Sequence, residues 1–292
     1  MGLEASTLSA LRQRIAAIET AGEIARPAAS RLVPIDRGEV DAHLGGGLAC
    51  GALHEFHPAS AGDQVATNGF AALLAFASAP AKRPIVWIRQ DHAAREGGEL
   101  HVDGLSALGL DPARLVLVRL SHAVCVLRAG IEAARSTAIG AVLIEPFGEP
   151  KELDLTTQRR LVLAAEASGV TLFLLRPGAR PMPGSAETRW EVRSAPAQPL
   201  ALDAPGHPTF DLTLLRHRHG PAGGPWRLEW NRDDGRFVPP PLLRDPAALP
   251  RLRPAAPPAE GLLLPPFAGK AAADRREGQG RHAHRRAGSG GP

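Results

Sequence analysis

The chain has 292 residues and a net charge of +4; 44% of its residues are hydrophobic, none is Tyr, and two are Cys. This length suits one large domain or two small ones with a core of Leu, Val, Ala and Ile, and two distant Cys exclude a disulfide framework. No apolar run approaches the roughly 18 residues of a membrane span and no signal-peptide pattern is present, so we expect a soluble cytoplasmic protein with no membrane partner.

The positive charge is unevenly distributed. Residues 238–292 contain nine basic and four acidic residues, whereas the rest of the chain contains 25 basic and 26 acidic residues. The body of the protein is therefore almost neutral despite a pI near 9.8. A neutral body argues against a broad basic surface for DNA, although a local one stays open.

Residues 1–31 are predicted to form an N-terminal helix and a linker. Residues 5–20 are amphipathic, with apolar residues at steps of three and four: Leu8, Leu11, Ile15 and Ile18. Gly22 and Pro27 mark the linker that follows. Such a helix packs either on its own domain or on a partner, and the sequence leaves both alternatives open.

Residues 32–237 are predicted to form the core domain, in which strands and helices alternate. The candidate strands are 51–56, 85–88, 115–120, 140–144 and 170–175. The candidate helices are 64–79, 97–108, 122–136 and 154–168. Several strands are continuous apolar runs such as IVWI and GAVLI. Runs of this kind are typical of parallel strands covered on both faces, and predict a doubly wound, mainly parallel α/β sheet.

The pattern changes towards the C-terminus. Three segments, 187–195, 209–218 and 226–233, interleave polar and apolar residues and predict an antiparallel extension at one edge of the sheet. Residues 238–292 are rich in Pro and Ala, then in Arg and Gly. We expect this tail to be disordered, because it has too little apolar surface to offset the entropy of ordering.

The segment after the first core strand has the layout of a phosphate-binding loop but the wrong residues. The pattern G-x-x-x-x-G-K-[ST] is matched by HPASAGDQ, so only Gly62 is retained. His57 replaces the first Gly, Asp63 replaces the Lys, and Gln64 replaces the Ser or Thr that holds Mg²⁺. A carboxylate facing a triphosphate repels it by roughly 4 kcal/mol at about 4 Å, where a Lys would attract it. We therefore expect neither ATP binding nor any other cofactor here.

Two carboxylates stand where a nucleotide-hydrolysing enzyme would use them. Glu145 follows the strand 140–144, at the position that normally supports Mg²⁺, and Asp91 follows the strand 85–88. Without the loop Lys, we interpret Glu145 as a solvated carboxylate at a strand end and both residues as vestigial. No catalytic residue and no ATPase activity are expected.

These segments resemble a known family. The stretch GGGLACGALHEFHPASAGDQ is similar to the Gly-rich turn and phosphate loop of RecA-type recombinases, and IVWIRQDHA, AVLIEP and TLFLLRP are similar to their later core strands. The Gly45–Glu55 element, the Gly69–Phe70 pair, VLIEP and LLRHRHGPAGGPWRLEW resemble ImuA, a RecA-like accessory family of bacterial damage-inducible mutagenesis. The resemblance covers about 32–237 and implies a RecA-like fold.

The resemblance also implies a function. ImuA proteins act without catalysis in an SOS-induced translesion synthesis complex. An ImuB-like protein would be the partner, a C-family error-prone DNA polymerase subunit would be an indirect one, and RecA itself is a further candidate. The alternatives are a diverged RecA-type ATPase with a remodelled nucleotide site and a SulA-like inhibitor of cell division.

Five arginines are candidates for contact with a partner or with single-stranded DNA. Arg176, Arg180 and Arg189 lie in or beside the loop after 170–175, where a recombinase grips DNA, so they either contact phosphates weakly or are solvated charges. Arg216 and Arg218 lie on the hairpin strand 209–218 and suit an acidic partner surface. His217 and His219 share one face of that strand, but two ligands are too few for a metal, and no metal site is expected.

Overall fold

The computed structural model describes residues 31–199, 204 and 206–240, all within one compact unit. The strands are β1 Leu32–Val33, β2 Leu48–Ala49, β3 Leu53–Pro58, β4 Ile85–Gln90, β5 Leu115–Leu120, β6 Ala141–Glu145, β7 Thr171–Leu175, β8 Thr188–Ala195, β9 Thr209–His217, β10 Gly223–Asn231 and β11 Arg236–Val238. Nearly all of the predicted N-terminal helix, linker and tail lie outside the described residues, so the predicted domain boundaries stay predictions.

Six α-helices connect these strands in the described part of the chain: α1 Glu39–His43, α2 Gln64–Ser78, α3 Asp91–Gly97, α4 Val102–Ala107, α5 Ala123–Arg135 and α6 Leu155–Ser168. The ends of α6 follow directly from its sequence. The Asp154 carboxylate accepts a hydrogen bond from the Thr157 amide at 2.7 Å, and Gly169 ends the helix in the left-handed region at φ 75°.

Nine strands form one sheet in the order β11-β10-β9-β8-β3-β7-β6-β4-β5. The six strands from β8 to β5 are parallel, and β9, β10 and β11 add to β8 in antiparallel fashion. Helices cover both faces. This arrangement confirms the predicted class, a doubly wound, mainly parallel α/β sheet with an antiparallel extension.

Two details differ from the sequence predictions. The strand β8 was expected in the antiparallel extension, but it pairs in parallel with β3 and joins the two parts of the sheet. The helix expected over 97–108 begins only at Val102, as α4, and the helix α3, which was not expected, ends at Gly97. Gly98 takes φ 79°, which keeps the two helices apart.

The sheet separates two apolar cores. The helix α2 packs on one face with Phe56, Trp190 and Phe210, and the helices α5 and α6 pack on the other with Leu53 and Leu172. The approach of α5 is close, because a Cβ at Gly130 would lie 2.7 Å from Ile144 Cδ1. None of the helices in the described part of the chain is long and apolar enough to cross a membrane.

Candidate functional site

The segment after β3 does not form a phosphate cradle. His57 is still part of β3 and is buried, and Gly62 lies in a short 3-10 helix, Ala61–Asp63, that leads into α2. A Cβ at Gly62 would meet only Ser60 Oγ, at 3.7 Å. Backbone crowding therefore does not require glycine at this retained position.

Asp63 fixes this loop to the neighbouring strand. Its Oδ1 accepts hydrogen bonds from the Ser194 amide and the Ser194 hydroxyl, both at 2.8 Å, and its Oδ2 accepts one from the Ser60 hydroxyl at 2.7 Å. Burial raises the pKa of Asp63, but these hydrogen bonds outweigh it and hold the pKa below its ordinary value. The Asp63 carboxylate therefore faces β8.

Glu145 was expected to be solvated, and that expectation is wrong. Its side chain is fully buried at the end of β6. Arg89 donates to Glu145 through Nε, at 2.6 Å from Oε2, and through Nη2, at 3.2 Å from Oε1. The indole of Trp87 donates at 2.9 Å to Oε2, and Asn68 donates at 3.0 Å to Oε1. We call Asn68, Trp87, Arg89 and Glu145 the Glu145 cluster.

The hydrogen bonds of this cluster occupy the carboxylate oxygens that Glu145 would need to bind a metal ion. Both carboxylate oxygens accept hydrogen bonds, and the charge of Glu145 is balanced by Arg89 at ion-pair distance. Gln64, at the position of the Mg²⁺-binding hydroxyl, donates instead to the Ala93 carbonyl at 3.1 Å and lies 3.5 Å from Glu145 Oε1. A nucleotide with Mg²⁺ would have to break this ion pair, so these residues do not fit it.

Asp91 lies apart from Glu145, at the start of α3. It accepts hydrogen bonds from Arg119 Nε at 3.3 Å and from the Ser121 hydroxyl at 2.9 Å. Its side chain is 28% exposed, and the guanidinium of Arg119 is shared with Glu99. Asp91 therefore belongs to a surface network rather than to a site with Glu145.

A second buried carboxylate, Glu55, lies on the opposite face of the sheet. Arg189 Nε donates to Glu55 Oε2 at 2.6 Å, and Arg176 Nη1 donates to Oε1 at 3.2 Å. The His57 ring lies 3.3 Å from the same carboxylate. We call Glu55, His57, Arg176 and Arg189 the Glu55 cluster. Two of the predicted DNA contacts, Arg176 and Arg189, are therefore internal charges, and that part of the prediction is wrong.

The charges of the Glu55 cluster determine its ionisation. Burial raises the pKa of Glu55, but the His57 hydrogen bond and the charges of Arg189 and Arg176 outweigh burial and hold the pKa below its usual value. Burial also lowers the pKa of Arg176, and the negative charge of Glu55 offsets this only in part. Two arginines and one carboxylate give the cluster a surplus of positive charge.

The remaining predicted contact residues divide into one internal and two exposed positions. The half-buried Arg216 donates to the backbone carbonyls of Gly184 and Ala186 and so holds the loop before β8. Arg180 and Arg218 are exposed. Of the five predicted contacts, these two are the ones that the structure leaves open to a partner.

The two histidines of the hairpin do not form a metal site. His219 Nδ1 lies 2.7 Å from Glu187 Oε1, whereas His217 is buried at the end of β9. No group of three or more His, Cys, Asp or Glu with metal-binding geometry occurs in the described residues.

The sequence reasoning missed Glu55 and Arg89, yet a signal for both was present. Each is a charged residue inside an otherwise apolar strand, in LHEFHP and IVWIRQ. A charge buried on a strand requires a partner of opposite charge. The partners lie far apart in sequence, 56 residues from Arg89 to Glu145 and 134 from Glu55 to Arg189, so the pairing needed the fold.

Comparison with known proteins finds similarity to solved structures. No family model and no curated protein matches the sequence. The structure is similar to the crystal structure of the RadB recombinase, with a TM-score of 0.44 and 14% identity, over 66% of this chain and 93% of that one. This likeness is too distant to indicate an activity, a ligand or a partner.

Proposed function

We propose that this protein is a non-catalytic adaptor of the ImuA type, which binds an ImuB-like protein in a translesion synthesis complex. The observation that carries the proposal is the Glu145 cluster. Glu145, the carboxylate in the place where a RecA-type enzyme holds its metal, is buried and paired with Arg89. The chemistry expected at that position is thus replaced by an internal ion pair.

The loop supports the same proposal. The Asp63 carboxylate, in place of the phosphate-binding Lys, is held by Ser60 and Ser194. These contacts stabilise the junction of β3, α2 and β8 and contribute no positive charge for a phosphate. A scaffold of this kind, with its nucleotide positions used for folding, acts through its surfaces. The choice of partners comes from the sequence resemblance to ImuA.

A binding assay tests the adaptor role. The full-length chain is immobilised and presented with the ImuB-like protein and with RecA of the same organism. We expect retention of the ImuB-like protein. Replacing both exposed arginines, Arg180→Ala with Arg218→Ala, tests their part in this binding, and Arg159→Ala, at an exposed position of α6, is the matched control. Failure of both proteins to bind would overturn the proposal.

The competing function, a diverged ATPase, is tested by calorimetric titration with ATP and Mg²⁺. The structure selects Asp91→Ala as the variant, because Asp91 is partly exposed whereas Glu145 is buried and paired. We expect no heat of binding in either protein. Binding tighter than about 100 μM that disappears in Asp91→Ala would favour the ATPase.

A further inference from the structure

An open apolar groove runs along the outer side of α2. Val65, Ala66, Gly69 and Leu73 form one stripe of the helix, and Leu108 and Phe210 lie beside it. The groove has two adjoining depressions of about 480 Å³ and 310 Å³, which share Val65, Gly69 and Leu108. We call it the α2 groove. Its lining is mainly apolar, and Val65 is 65% exposed.

The groove has room for another element to approach closely. A Cβ at Gly69 would meet no atom within 4 Å, so the middle of the stripe faces open space. Small residues such as Ala66 and Gly69 allow a helix axis to lie near the lower end of the usual 8–10 Å separation. The groove therefore offers an apolar surface on which a helix could pack.

We propose that residues 5–20 of the same chain occupy the α2 groove as an amphipathic helix. This proposal is independent of the adaptor function. The apolar residues of that segment are Leu8, Leu11, Ile15 and Ile18, which lie on one face of a helix. From Leu8 to Ile18 this face is about 15 Å long, and the stripe from Val65 to Leu73 is about 12 Å long, both at the rise of an α-helix.

The point at which the described chain begins supports this occupant. The guanidinium of Arg31 donates to the Ser78 carbonyl, at the end of α2. Val65 lies about 20 Å from Ser78 along the helix axis. The eleven residues from Thr20 to Arg31 can span up to about 37 Å. The whole groove is therefore within reach, at an effective concentration in the millimolar range.

Hydrogen–deuterium exchange of the full-length protein tests this proposal. An isolated helix of 16 residues is marginal in water, so strong protection of residues 5–20 requires docking. We expect amides of this segment to exchange at least tenfold more slowly than an unprotected chain. Exchange at the unprotected rate overturns the proposal.

Variants assign the docking site. Gly69→Trp fills the groove, and we expect it to abolish protection of residues 5–20 while leaving β6 protected. Leu163→Trp is the matched control, because Leu163 is 48% exposed on α6, on the other face of the sheet. Loss of protection in both variants, or in neither, would overturn the assignment.

Substitutions within the segment complete the test. We expect Leu11→Asp with Ile15→Asp to abolish protection, whereas Gln13→Asp, on the opposite face of the predicted helix, retains it. Dilution distinguishes docking of residues 5–20 within one chain from docking onto a second copy. Protection that falls with dilution, together with a dimer by sedimentation, would show docking between two copies and would overturn docking within one chain.

Discussion

The Glu145 cluster and the Glu55 cluster are both built on a carboxylate buried in a parallel strand, but they differ in charge balance. Glu145 faces one arginine, and the neutral donors Trp87 and Asn68 fill its remaining lone pairs. Glu55 faces two arginines and the ring of His57. The first cluster is electrically balanced, whereas the second has a surplus of positive charge.

The difference also appears in the hydrogen bonds. Within the described residues, Arg176 Nε and Arg189 Nη2 are buried without an acceptor, whereas no side-chain nitrogen of the Glu145 cluster is in that condition. A buried donor without an acceptor costs stability. The comparison teaches that buried ion pairs on the two faces of one sheet can differ in whether all their donors have an acceptor.

Among the substitutions that test this comparison, Glu55→Gln is expected to lower the free energy of unfolding most. It leaves Arg189 buried without a counter-charge and Arg176 with only the charge of the exposed Glu149 nearby, so we expect the free energy of unfolding to fall by about 3–5 kcal/mol. Urea titration measures this, with Glu132→Gln as the control, because Glu132 pairs with Arg135 on the exposed face of α5. A loss below about 1 kcal/mol would show that the positive surplus is already compensated.

A double-mutant cycle tests whether the Glu145 cluster is a balanced pair. Arg89→Met and Glu145→Gln each leave one buried partner uncompensated, whereas the double variant removes both charges. We expect the double variant to be more stable than the sum of the single losses implies, with a coupling of about 0.5–3 kcal/mol. Denaturant unfolding of the four proteins gives this value. If the losses in the free energy of unfolding were additive, Arg89 and Glu145 would act independently, and the Glu145 cluster would not be a balanced pair.

The pH dependence of stability tests the Glu55 cluster separately. The folded-state pKa of Glu55 is held below its unfolded value, so its contribution is full above about pH 4.3 and is lost as the pH falls through the folded-state pKa. We expect the wild type to lose stability from about pH 5 downwards and Glu55→Gln to show a flatter profile.

Urea midpoints measured from pH 5 to pH 3 for both proteins check this. The pKa of Asp41 is raised by burial, so Asp41 makes the stability change with pH in the opposite direction. Its contribution is the same in both proteins and cancels when the two profiles are subtracted. Parallel profiles would contradict the assignment of the acid sensitivity to Glu55.

The smallest effect is expected at Asp91. Its pairing with Arg119 is partly exposed, and Arg119 is shared with Glu99, so Asp91→Asn should change the free energy of unfolding by at most about 1 kcal/mol. Thermal or urea unfolding at low and high salt measures it. A loss as large as that of Glu55→Gln would remove the distinction between buried and surface carboxylates.

The fold was largely predictable from the sequence because its strands are continuous apolar runs. The strand 115–120 has the predicted bounds, α2 and α6 each differ from prediction by one residue at one end, and α5 is shorter by one residue at both ends. The helix α3 and the late start of α4 were missed, because a helical pattern alone does not show that Gly98 adopts a positive φ.

The candidate site was predictable in position but not in environment. The sequence places Glu145 at a strand end and Arg176 in a loop, which is correct for both. The sequence does not show that Arg89 pairs with Glu145, or that Arg176 pairs with Glu55, which lies 121 residues away along the chain. Burial of these groups depends on contacts between distant strands, which local patterns do not contain.

The contacts of Asp63 have an evolutionary consequence. A substitution to Lys, the first step towards a phosphate-binding loop, would remove the acceptor of the Ser194 amide and of two hydroxyls. Because Ser60 and Ser194 are exposed, water can replace Asp63, and the loss is at most that of a hydrogen bond to a charged acceptor, about 1.5–3 kcal/mol each. The Arg89–Glu145 pair would then have to be separated as well. In this chain, a Lys at position 63 and the separation of Arg89 from Glu145 would each lower stability before a phosphate could bind.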